Sequence, residues 1–137
     1  FHTGRAFRVG RYRVRPVPVR HPVESVGFLV SDGRSAIGVS GDTGPTDRFW
    51  REGGRRRDLK ALRGGMSFPN ALQELADLSG PPTPNTLAGE LGKFERNGRP
   101  VYLSHLKPAH EAELRRDLAR LRLPGVRVLA QGEEFVF

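Results

Sequence analysis

The sequence predicts an α/β fold, a mixed sheet with helices on one face. Three observations carry that expectation. Apolar residues alternate with Arg through the first twenty positions, the period of a half-buried strand. Short apolar runs bounded by Gly, Asp and Pro follow. From residue 70 onward, stretches with helical spacing alternate with short strand-like runs, an order that layers helices on a sheet.

The elements can be read in turn. Phe7, Val9, Tyr12, Val14 and Val17 alternate between arginines, giving two strands broken at Gly10-Arg11. Pro16 and Pro18 place the second at a sheet edge or an irregular end, because proline cannot donate to a ladder. His21-Pro22 opens a turn. Val26 to Val30 is a strand, Ser31-Asp32-Gly33-Arg34 a tight hairpin turn, and Ser35 to Ser40 the returning strand. Thr46 or Asp47 caps a short helix through Trp50 and Arg51, ended by Gly53-Gly54. The Arg55-Arg56-Arg57 run is a solvated loop. Leu59 to Leu62 fits a strand or a helical turn. Ala71, Leu72, Leu75, Ala76 and Leu78 form an apolar stripe on a helix stopped by Gly80 and two prolines. Thr83 caps a further helix with Pro84 at its first position and Leu87, Leu91 and Phe94 on one face. Val101-Tyr102-Leu103 is a buried strand. A helix from Pro108 to about Leu121 turns Ala112, Leu114, Leu118 and Leu121 inward. Val126 to Leu129 and Phe135 to Phe137 read as closing strands. With no repeat and no linker, residues 1–137 form a single domain.

Composition excludes several function classes. The 137 residues hold 36% hydrophobic and 28% charged residues, the balance of a globular domain. No apolar run is long enough to span a membrane, and the N-terminus shows no export pattern. The chain begins without Met, as a fragment or processed product would, and the expected compartment is the cytoplasm. With 0 Cys, disulfides and thiolate ligands are absent. The net charge of +8 and pI near 11.1 would attract phosphates. Nearly all of the positive charge is scattered Arg, and no basic strand interleaved with aromatics appears. A basic phosphate- or nucleic-acid-binding module is therefore an alternative that charge alone permits, and specific nucleic-acid binding is not expected.

Three short stretches carry chemistry-bearing residues. Asp42, in Ser40-Gly41-Asp42-Thr43-Gly44-Pro45, sits just past a strand, where ligands bind in such sheets. Its plain alternative is an Asx-turn. His105, in Ser104-His105-Leu106-Lys107-Pro108, leaves a buried strand toward a helix start, as a metal ligand or as a hydrogen-bonded loop residue. His21 precedes Pro22 in an edge-like segment and alone would be an ordinary surface histidine. His2, at the terminus, and His110, among helix charges, take that ordinary reading.

Together, His21-Pro22-Val23-Glu24-Ser25-Val26-Gly27-Phe28-Leu29-Val30, Ser40-Gly41-Asp42-Thr43 and Ser104-His105-Leu106-Lys107-Pro108 resemble the C-terminal half of the metallo-β-lactamase-fold hydrolases. Ser67-Phe68-Pro69-Asn70, the Leu-rich helix after it, and Ser79-Gly80 leading to Thr83-Pro84 resemble the class II cyclic-nucleotide phosphodiesterase branch, with ribonuclease Z a related branch. The resemblance runs from His21 onward and implies half of an αββα sandwich. It implies two zinc ions per complete site: His21 would complete one metal site, Asp42 would bridge both, and His105 would bind the second. Metal-activated water would then hydrolyse a 3′,5′-cyclic nucleotide such as cAMP. The implied partners are that substrate and either a missing N-terminal half or a second copy of the chain.

Three departures accompany the resemblance. The family's His-x-His-x-Asp-His run is absent, so this chain supplies only part of the ligands. Pro81 stands where the phosphodiesterase branch has a His, which removes a proton donor. Arg63-Gly64-Gly65-Met66 also stands where an apolar strand with an acidic residue is the rule. The chain alone is thus expected to be incomplete or inactive, with a non-catalytic half-domain as the alternative. A ribonuclease Z-like reading is disfavoured because the turn at Asp32-Gly33 leaves no room for an RNA-clamping insertion.

Overall fold

A computed structural model describes residues 3–93 and 96–137; the expectations for His2 and Phe94 lie outside the described residues. Seven strands form one sheet in sequence order. They are β1 (Phe7–Val9), β2 (Tyr12–Val19), β3 (Ser25–Ser31), β4 (Ala36–Gly41), β5 (Leu59–Gly65), β6 (Val101–Ser104) and β7 (Val126–Val128). The first four pair antiparallel through short turns. From β4 to β7 the pairing is parallel, so each connection must cross over the sheet. The crossovers carry α1 (Asp47–Gly54), α2 (Gln73–Ser79) and α3 (Pro84–Leu91), and α4 (Glu111–Leu121). Right-handed crossovers between strands laid down in one direction put every helix on the same face. The expected mixed α/β sheet with helices on one face is what the chain adopts.

The core lies between sheet and helices. Val17, Leu29, Leu62, Val101 and Leu103 face Phe49, Trp50, Leu87, Leu91 and Leu114. The register Val17↔Gly27 and Gly38↔Leu62 puts these positions on the helix side. The alternate residues, among them Val14, Val30, Ile37 and Val39, stay half-buried on the opposite face. Pro16 and Pro18 are tolerated because the β1 ladder reaches only Tyr12 to Val14; beyond it the Pro16 carbonyl accepts from the Gly4 N–H at 3.0 Å, a contact that needs no N–H from proline.

Several elements differ from the expectations. Gly53 and Gly54 do not end α1 but form its last turn, with Arg55 as the C-cap. Leu59 to Leu62 is strand and runs on to Gly65 despite Arg63, because Arg63 projects from the sheet and is exposed. The stripe on α2 does not face the core: Ala76 is buried, whereas Leu75 is 46% and Leu78 79% exposed. On α4 the buried side is Leu114 and Asp117, with Ala112 exposed. Asp117 is there because its carboxylate accepts from the Asn70 N–H at 2.9 Å, capping the turn that leads into α2. Phe135 to Phe137 is not a strand. The Phe135 ring packs on Tyr102 at 4.5 Å instead. Thr83 does cap α3, accepting from the Thr86 N–H.

The Arg run is only partly a free loop. Arg56 pairs with Asp58, and Asp58 also accepts from the Ser31 hydroxyl at 3.2 Å. Arg56 holds the Asp58 carboxyl below its ordinary value, against an opposing push from partial burial. A carboxyl lowered in the folded state contributes stability above its unfolded value, and that contribution is lost as pH falls through the folded one. Urea unfolding of Asp58→Asn should therefore show a flatter loss of stability below about pH 4 than the parent shows. An unchanged acid limb would mean the pair contributes nothing. No helix among the described residues is long and apolar enough to cross a membrane.

Candidate metal centre

Asp42 and His105 meet at the C-terminal edge of the parallel strands. β4 ends at Gly41 and β6 at Ser104, and they flank β5. The chain therefore leaves two parallel strands at one edge of the sheet, and the two side chains span the end of the strand between. Gly41 turns the chain with φ +64, a conformation that costs glycine little. His105 also sits in the left-handed region, at φ +63. A non-glycine residue held there is locally strained, a cost of order 1–3 kcal/mol that the surrounding structure must impose.

The Nδ1 of His105 lies 3.1 Å from Oδ1 of Asp42 and 3.1 Å from Oδ2. Both carboxylate oxygens thus face one imidazole nitrogen, leaving Nε2 as the outer nitrogen. The Asp42 side chain is mostly covered, whereas that of His105 is largely exposed. A glycine at position 65 is required by this arrangement, since a Cβ there would come within 1.9 Å of Asp42 Oδ1. Any larger side chain at this end of β5 is thereby excluded. The pair shares a cavity of about 340 Å³ with Val39, Arg63, Gly65 and Ser104.

His21 is not gathered with this pair into a group of three donors among the described residues. It lines a separate cavity of about 490 Å³ with Gly80, Pro81 and Pro82. Its Nδ1 is buried without a hydrogen-bond partner, and it abuts Gly80, where a Cβ would lie 2.5 Å away. The segment before it is tied to the Asp42 loop: Gly44 N–H and the Thr43 hydroxyl both donate to the Arg20 carbonyl, at 2.8 and 3.2 Å. Pro81 therefore neighbours His21 rather than the Asp42–His105 pair. His110 packs against Phe68 with ring centroids 6.2 Å apart.

A catalytic zinc site needs about three protein donors and an open position. Among the described residues no group of three His, Cys, Asp or Glu side chains converges. Asp42 and His105 have the right donor chemistry but supply two donors, so these residues alone do not make a complete metal site.

The sequence offered no obvious sign of one residue that shapes this region. Glu90, 5% exposed, accepts from the Thr46 N–H at 2.7 Å and the Trp50 indole N–H at 2.8 Å. It thereby clamps the loop that follows Asp42. An acidic residue between Leu87 and Leu91 on an inward helix face was the available clue.

Comparison with solved structures defines the architecture: the chain has the metallo-β-lactamase fold. It is similar to the metallo-β-lactamase-fold protein YhfI from Bacillus subtilis, with a TM-score of 0.73 and 17% identity over 94% of this chain and 51% of that one. It is similar as well to zinc-bound PqqB from Methylobacterium extorquens, at TM-score 0.60 and 13% identity over 97% of this chain and 53% of that one. The short form of human tRNase Z matches at TM-score 0.57 and 19% identity over 76% of this chain and 39% of that one. The chain thus spans about half the length, or less, of these structures. No family model and no curated protein sequence matches it.

Proposed function

We propose that the chain is one half of a metal-dependent hydrolase of phosphodiesters, acting on 3′,5′-cyclic nucleotides, and that Asp42 and His105 are its contribution to a zinc centre. The observation that carries this reading is the meeting of a carboxylate and an imidazole at the C-terminal edge of β4 and β6, within a fold shared with a zinc-bound protein. The remaining donors would come from a preceding half of the fold, with His21 approaching from the side of the Thr43–Gly44 loop. That half is also the partner we propose for the helix-free face of the sheet, where Val9 is 56% and Tyr12 39% exposed.

Similarity to tRNase Z supports phosphodiester hydrolysis in general. The cyclic-nucleotide substrate is favoured over RNA by the short β3–β4 turn, where Asp32 accepts from the N–H groups of Arg34 and Ser35, both at 2.9 Å. Parallel assays with cyclic AMP and a precursor tRNA separate the two substrates.

The role of the pair is tested by zinc titration followed in the imidazole NMR signals. The parent should bind zinc weakly, with His105 shifts, and Asp42→Ala should weaken binding by about 10–100-fold. Equal affinity in parent and variant would remove Asp42 from the centre. The chain without the other half should hydrolyse cyclic AMP at no measurable rate, because two donors do not fix a catalytic metal.

A further inference from the structure

Arg63 is the residue that the sequence pattern leaves without a purpose. It lies within β5 near its C-terminal end, directly across from Tyr102 and Val39 in the sheet register. Its side chain leaves the face opposite the helices and is exposed. Its Nε donates to the Ser104 hydroxyl at 3.1 Å. That bond orients the planar guanidinium, and no carboxylate pairs with Arg63 among the described residues. The acids around it are engaged elsewhere: Asp42 with His105, Glu111 with Arg115, and Glu133 with Arg127. Arg63 lines both cavities that flank His105, one of about 340 Å³ and one of about 810 Å³.

We infer that Arg63, backed by Ser104, is the anion seat of this site and holds a phosphate group of the ligand directly, without a metal. A guanidinium presents a rigid fork of N–H donors that matches two phosphate oxygens, and a charge-assisted fork of this kind is both strong and directional. The C-terminal edge of parallel strands is where ligands of such sheets bind. The fixed positive charge also opposes a second cation beside Asp42, so the local electrostatics at this edge favour a phosphate over an additional metal ion. The inference specifies the ligand chemistry of the Asp42–His105 site and so rests on that site being a binding site, but not on zinc.

The test is calorimetric or NMR titration of inorganic phosphate and of cyclic AMP into the protein in EDTA. Both should bind the parent, with shifts at Arg63, Ser104 and His105. Arg63→Gln should weaken both by roughly tenfold or more, and Arg63→Lys, which keeps the charge and loses the fork, should fall between. Because Arg63 is exposed, thermal melting should report intact folding in both variants. Phosphate binding that is unchanged in Arg63→Gln overturns the inference, as does an absence of phosphate binding by the parent in EDTA. Zinc binding still weakened in Asp42→Ala would then leave the metal-centre reading standing by itself.

Discussion

Phe49→Ala is expected to destabilise the protein by about 4 kcal/mol, lowering the melting midpoint by roughly 10–15 °C for a domain of this size. Phe49 is fully buried on α1. Its ring lies over two glycines on adjacent strands: a Cβ at Gly27 would meet ring carbons at 2.7 and 2.8 Å, and one at Gly38 would meet another at 3.3 Å. The missing Cβ atoms create the notch, and the ring fills it. Truncation leaves a void that rigid strands cannot close, so transfer and cavity costs add. Gly27→Val should destabilise from the opposite direction, because the Val39 carbonyl lies 2.9 Å from that Cβ position and the backbone cannot yield cheaply. Denaturant unfolding of both variants measures this. A loss under about 1 kcal/mol in Phe49→Ala would show that α1 resettles on the sheet. The consequence reaches the site, since α1 begins directly after the loop that carries Asp42.

Glu90→Ala should cost about 3 kcal/mol. The carboxylate serves the Thr46 N–H and the Trp50 indole N–H, and its other oxygen pairs with Lys93 at 2.6 Å. Removing it strands two donors and loosens the join between α1 and α3. Glu90→Gln retains an acceptor of nearly the same shape, so its loss should be the smaller of the two. Beyond stability, the clamp on Thr46 holds the Asp42 loop. The His105 imidazole signals should therefore shift in Glu90→Ala even under conditions where the protein remains folded. An unperturbed His105 in a folded variant would separate the clamp from the site. Asp47 and Glu90 together raise Lys93 above its ordinary value. A lysine raised in this way stabilises the fold below its unfolded value, and that contribution fades only as pH rises past it.

Much of the sheet was legible because strand periodicity is local. Alternation of apolar residues with Arg places β1 and β2, and the Asp32-Gly33 turn announces the β3–β4 hairpin. Thr83-Pro84 marks the start of α3 for an equally local reason, a hydroxyl cap followed by a residue that lacks an N–H. The errors arise where the same local signal serves two outcomes. Leu75 and Leu78 have the spacing of an inward stripe, yet a spacing does not say which side of a short helix meets the core. Phe135 to Phe137 has strand propensity, but propensity supplies no partner strand; the Phe135 ring packs on Tyr102 and the Phe137 ring on Phe135. Arg63 departed from the apolar strand that the resemblance led one to expect there. The sheet buries its helix side fully and leaves the other face half-open.

The site divides in the same way. Asp42 and His105 stood out in the sequence as polar residues at the ends of apolar runs, and the strand-to-loop transitions that expose them are written locally. Their contact depends on β4 and β6 running parallel on either side of β5, a pairing between residues 63 positions apart that no local pattern encodes. His21, which alone read as an ordinary surface histidine, lines the cavity beside Gly80 and Pro81. The sequence alone determined residue chemistry and the type of most elements, because both are set largely by side chains and near neighbours. Tertiary structure alone decided which donors converge, that Glu90 binds α1 to α3, and that Arg63 faces the site, because each depends on chain direction and packing between distant segments.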